Sequence, residues 1–92
     1  MVVKLYKFGE MLISRPSGRE AYLSAKAYLF TGKVGEIEFD FDGVKVLTPS
    51  WIDEFVSLLK SEYPSIKVTF RKSDNPTVIS SLKMIKPSAS SF

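Results

Sequence analysis

Two hydroxyls and a proline stand where an apolar run turns helical, in Val46-Leu47-Thr48-Pro49-Ser50-Trp51-Ile52-Asp53-Glu54-Phe55. Two cap registers compete for them. With Thr48 as N-cap and Pro49 at the first helical position, the Ser50 hydroxyl is left free at a helix amino terminus. With Ser50 as cap and Asp53 reaching back, that hydroxyl is consumed. In the first register a phosphoryl group on Ser50 meets unsatisfied N–H groups and the positive end of the helix dipole, and it also adds about −1.5 to −2 charges beside Asp53 and Glu54. On the residues alone, plain capping is the simpler reading and phosphate acceptance the alternative.

Carboxylates form the second group. Glu38-x-Asp40-x-Asp42-Gly43 has the front half of a calcium loop, but its twelfth position is Pro49 rather than glutamate. Phe39 and Phe41 alternate with the acids, which is the pattern of a strand with a solvated polar face. Asp40, Asp53 and Glu54 are also the acids an enzyme would have to use. With no cysteine and no histidine, the chain lacks thiolates, imidazole bases and the usual zinc ligands. We therefore expect a non-catalytic protein with no metal and no cofactor. The bases Lys4, Lys7, Arg15, Arg19, Lys67, Arg71, Lys72, Lys83 and Lys86, with Tyr6 or Trp51 for stacking, allow a nucleic-acid accessory role as the runner-up. The net charge is +3, but 10 acidic residues are interleaved with the 13 basic ones, so nucleic acid is not the preferred partner.

The elements that must position these groups follow from periodicity. Val2 to Phe8 reads as a strand and Met11-Leu12-Ile13 as a short return strand. Pro16 favours an extended Arg15, and Ser17-x-x-Glu20 fits a capping box opening a helix with Ala21, Ala25, Tyr28 and Leu29 inward and Tyr22 beside them, stopped at Gly32. Ile37, Phe39 and Phe41 alternate with acids, and Ile66 to Arg71 alternates with bases and a hydroxyl. Between them Ile52, Phe55, Val56 and Leu59 mark a helix from Pro49 to about Tyr63, ended by Pro64. Strand, helix, strand implies a parallel crossover. Adjacent strands would set Glu38 and Asp40 beside Lys67 and Arg71. A last helix starts at Asp74 or Asn75 and turns Val78, Ile79, Leu82 and Ile85 inward. No internal repeat or linker appears, so residues 1–86 are read as one domain and 87–92 as a flexible tail. Lys4, Lys7 and Glu10 interrupt the amino terminus, and no apolar run nears the ~20 residues that cross a bilayer, so a cytoplasmic protein is expected.

The order IEFDFDGV, VLTPS, WIDEFVSLL resembles the STAS domain of anti-sigma factor antagonists, and most closely the STAS-like domain family of unknown function. The residues carrying that resemblance are Gly9, Ser14-Arg15, Asp40-Phe41-Asp42-Gly43-Val44, Asp53-Glu54 and Asn75-Pro76. In the antagonists the loop entering the helix reads Asp-Ser-Ser/Thr-Gly, and its phosphorylatable hydroxyl switches binding to an anti-sigma kinase of the GHKL ATPase type. Aligned on strand and helix, Ser50 falls at that phosphoacceptor, with Thr48 in place of the aspartate, Pro49 of the first serine and Trp51 of the glycine. The resemblance thus implies a regulatory interaction module with a GHKL-type ATPase as partner.

The fold expected is a two-layer α/β domain: a mixed sheet of about four strands, three helices packed mainly on one face, and a charged opposite face. The partner-binding surface is expected at Leu47, Thr48, Pro49, Ser50, Trp51 and Glu54. Trp51 is either a partly buried lid or an exposed anchor, the lid being preferred. Arg15 is expected to bridge to Asp40 or Asp53, with anion binding as the alternative.

Overall fold

Alternation in Glu36-Ile37-Glu38-Phe39-Asp40 builds the central strand of the larger sheet, β3 (Glu36–Asp40), with Ile37 and Phe39 fully buried on one side and Glu36 exposed on the other. The computed structural model describes residues 1–30, 32 and 34–85; the end of the domain at 86 and the tail at 87–92 lie outside the described residues. Strand β1 (Val2–Lys4) flanks β3 on one side and β5 (Lys67–Phe70) on the other, with Val3 opposite Phe39 and Ile37 opposite Val68. Strands β2 (Met11–Leu12) and β4 (Val46–Leu47) pair separately, Leu12 opposite Leu47. Helices α1 (Arg15–Tyr28), α2 (Pro49–Glu62) and α3 (Pro76–Ile85) complete the described elements.

The two-layer α/β class holds. The sheet departs from a single mixed one of about four strands: among the described residues, five strands form a three-stranded and a two-stranded sheet, and every pairing is parallel. Each pair is separated in sequence by a helix, and such a crossover returns the chain in the same direction. The first strand stops at Lys4, and Leu5–Phe8 form a 3₁₀ turn that buries Leu5. Met11-Leu12 does not return along β1. It receives β4, and the N–H groups of Val46 and of Lys45 just before it donate to the Glu10 carbonyl at 3.1 and 2.8 Å.

Helix α1 begins earlier than the capping box suggests. Ser14, at φ 75°, caps it by accepting the Ser17 N–H at 3.4 Å, so Arg15 is helical rather than extended. Ser17 is thereby released for another bond, described below. Ala21, Tyr22 and Ala25 are buried, whereas Tyr28 is 81% exposed. Its inward place is taken by Phe30, whose N–H returns to the Ala25 carbonyl at 3.0 Å and whose ring packs on Tyr22 and Tyr63.

The core lies between these helices and one face of the sheets. Phe55 sits at its centre, edge-on to Tyr22 and Phe39 with centroids 5.6 and 5.4 Å apart and stacked on Trp51 at 5.6 Å. On the open face Val2, Lys4, Glu36 and Lys67 are exposed. The carboxylates of Glu38 and Asp40 both go to Arg71, at 3.1 and 3.3 Å, while Lys67 stands opposite Glu36 in register.

Helix α3 is capped by Asn75, whose Oδ1 accepts the Thr77 N–H at 2.8 Å. Its burial differs from the apolar stripe: Val78 and Ser81 are buried, Ile79 is 42% exposed, and Leu82 and Ile85 are half-buried. The cause is polar. Leu47 N–H donates to Thr77 Oγ1 at 3.1 Å and Ser81 Oγ donates to the Leu47 carbonyl at 2.8 Å, so α3 is rolled to present these hydroxyls to β4. Among the described residues, no helix is long and apolar enough to cross a membrane.

Candidate functional site

Thr48 settles the choice of register. It is extended, at φ −109° and ψ 152°, its Oγ1 accepts the Trp51 N–H at 3.4 Å, and Pro49 takes the first helical position. Two further bonds hold it to β2: its N–H and its hydroxyl both donate to the Leu12 carbonyl, at 3.0 and 3.2 Å. The cap being filled, Ser50 is not needed for it, and Ser50 is exposed in the first turn of α2.

Trp51 is neither a half-covered lid nor an exposed anchor. It is 0% exposed, between Phe8 and Phe55, and its indole N–H donates to Ser17 Oγ at 3.2 Å. Gly18 makes this burial feasible: a Cβ there would run into the Trp51 carbonyl oxygen, so only glycine lets α1 pass the start of α2 this closely. Leu47 is also interior, 2% exposed. The expected partner surface is therefore corrected: the side chains of Leu47 and Trp51 face the core. Thr48, Pro49 and Glu54 are half-buried and Ser50 is exposed.

Arg15 reaches this surface from α1. Its guanidinium donates to Asp53 at 2.8 Å and to Glu54 at 3.1 Å, and Arg19 approaches Glu54 at 3.9 Å. The hydrogen bonds that Arg15 donates to Asp53 and Glu54 raise its pKa further above the ordinary value, so it is a permanent cation. Arg15, Pro49, Ser50, Asp53, Met84 and Ile85 enclose a shallow cavity of about 300 Å³. Met84 and Ile85 carry no signal in the sequence for this role, since they come from the end of α3.

Asp40 and Gly43 belong to a different cluster. Asp40 Oδ2 accepts from Arg71, and its Oδ1 accepts the Asp42 N–H at 3.0 Å, which turns the chain after β3. Gly43 has φ +90° and a Cβ there would lie 2.8 Å from the Tyr6 ring. Asn75 closes the turn, its amide donating to the carbonyls of Val44 and Lys45 at 2.9 Å each. The motif residues thus divide: Ser14 caps α1, Arg15 with Asp53 and Glu54 joins α1 to α2, Asp40 and Gly43 shape the turn after β3, and Asn75 ties the chain that follows it to α3. Among the described residues, no three acidic side chains gather as a metal site.

The Tyr22 hydroxyl, which periodicity marked only as core, bonds to Glu62, and Lys26 completes the cluster at 2.8 Å from the same carboxylate. Lys26 and Tyr22 hold the Glu62 carboxyl below its ordinary pKa. Burial, then the bond to Glu62, pushes the Tyr22 phenol up.

Comparison with curated proteins and with solved structures returned no significant match. A family model described as a STAS-like domain of unknown function matches residues 30–78, more than half of the chain. The matched span contains β3, β4, α2 and β5 with Asp40, Gly43, Ser50, Asp53 and Glu54; Ser14 and Arg15 precede it. The chain belongs to the family of STAS-like domains of unknown function.

Proposed function

We propose that this domain is a non-catalytic regulatory module that docks a partner protein on the exposed start of α2, and that the charge state of Ser50 controls the docking. The partner proposed is a GHKL-type ATPase acting as an anti-sigma-like kinase, following the resemblance to the antagonists. The observation that carries the reading is the contrast between adjacent residues: Thr48 and Trp51 are locked into the structure, while Ser50 between them is exposed beside the Arg15–Asp53–Glu54 cluster. A phosphoryl group on Ser50 alters charge on a rigid surface without disturbing the cap, and it adds repulsion toward Asp53 and Glu54. Dispersed bases give the nucleic-acid alternative less support, because Arg15, Arg19, Lys26, Lys45 and Arg71 each face a carboxylate.

The test begins with the protein that co-purifies with the untagged domain from its own cells. Against that partner, Ser50→Ala should bind like the parent and Ser50→Asp roughly five- to tenfold more weakly, as one misplaced rim charge does. Equal affinity of the two variants removes Ser50 from the switch.

A further inference from the structure

The cleft between the end of β5 and α3 has an apolar floor continuous with the core and a rim of bases. It measures about 350 Å³ and is bounded by Phe70, Arg71, Lys72 and Ser73 on one side and by Val78, Ile79, Leu82 and Lys83 on the other. The roll of α3 toward Leu47 explains its apolar floor. By turning Thr77 and Ser81 to β4, the helix leaves Ile79 and Leu82, which its own periodicity assigns to a core, facing this cleft. Lys83 follows Ile79 by four residues and so lies on the same face of α3. Lys72 rises from the opposite wall. Among the described residues, no carboxylate lines the cleft. Arg71 is engaged by Glu38 and Asp40, whereas Lys72 and Lys83 have no ion-pair partner among the described residues.

We infer that this cleft binds a small anionic amphiphile, with a single apolar chain or ring laid against Ile79 and Leu82 and a carboxylate or phosphate head held by Lys72 and Lys83. Charge complementarity sets the sign of the head, because both uncommitted charges at the rim are positive. Size sets the class: about 350 Å³ is at the lower end of small-molecule sites and accommodates one short chain. A concave slot in which Ile79 is the only strongly exposed apolar side chain is also the wrong shape for lying on a bilayer, which needs a broad apolar face. The ligand is therefore a soluble monomer rather than a membrane lipid. This site is separate from the Ser50 surface and stands or falls independently of it.

The experiment is an amide-resolved NMR titration of the full chain with decanoate below its micelle concentration, with decyltrimethylammonium as a same-chain cation and acetate as a head-only control. The expected result is saturable shifts for decanoate confined to residues 70–73 and 78–83, with neither control saturating. The double variant Lys72→Glu/Lys83→Glu, altered only at exposed positions, should keep its fold and bind decanoate about tenfold more weakly. Ile79→Ser should weaken it as well. Equal response to the cationic amphiphile, shifts scattered over the surface, or unchanged affinity in the double variant would each overturn the inference. So would adsorption to phosphatidylglycerol vesicles through these residues without saturable decanoate binding.

Discussion

Ser50 and Trp51 are neighbours with opposite duties, and substitution should separate them. Truncating Trp51 to alanine removes a fully buried indole and its bond to Ser17, so about 3–5 kcal/mol of stability should be lost in urea unfolding. Ser50→Ala, at an exposed position outside the cap, should stay within about 0.5 kcal/mol of the parent. Thr48→Ala falls between them, losing about 0.5–2 kcal/mol because it supplies the cap and a bond to Leu12. Gly18→Ala should cost about 1–3 kcal/mol despite alanine's better helix propensity, since the added methyl group overlaps the Trp51 carbonyl. A stability profile in which position 50 matters as much as 48 or 51 would mean that the serine is structural.

At the scale of elements, side chains rather than strand neighbours satisfy one edge of β4. Ser81→Ala should therefore cost about 1–3 kcal/mol, because it strands the Leu47 carbonyl beside a buried position. Helices α1 and α2 are tied by the Tyr22–Glu62–Lys26 cluster. Glu62 is a carboxylate depressed in the folded state, so its contribution is complete above its unfolded pKa and is lost as pH falls through the folded value. Glu62→Gln should accordingly flatten the acid limb of a melting-temperature profile, and an unchanged limb would exclude the cluster as its source. How far such elements could be read in advance depended on length. The alternation of β3 and the i, i+3, i+4, i+7 stripe of α2 are strong periodic signals, and Thr48-Pro49 is a strong start. Strands β2 and β4 have two residues each, too few for any period, and their pairing depends on a crossover longer than thirty residues. The roll of α3 was illegible because two hydroxyls bound to Leu47 outweighed an apolar stripe. The full burial of Trp51, beyond the partly buried lid expected, is not legible because the residues that receive it, Ser17 and Gly18, are distant in sequence.

Across the whole molecule, the two sheets share one hydrophobic core, which runs from Val3 and Leu12 through Trp51 and Phe55 to Val78. Both sheets should therefore be lost in a single cooperative transition, visible as coincident far-ultraviolet and tryptophan-fluorescence melts. A rigid core beneath an exposed, uncommitted hydroxyl is the arrangement on which the proposed docking depends. The resemblance aligns Ser50 with the phosphoacceptor position, and geometry chooses between the alternatives the sequence leaves open: the cap is Thr48, Arg15 clamps Asp53 and Glu54 rather than Asp40, and the indole is fully buried. The most direct test is to install a photo-crosslinking amino acid at position 50, and in a second protein at the exposed Ser65 beyond the far end of α2, about 20 Å away by helix rise, and to irradiate living cells of origin. The account predicts a covalent adduct with an ATPase from position 50 and none from position 65. Adducts from position 65 alone, or none from position 50 with a partner that co-purifies, would contradict it.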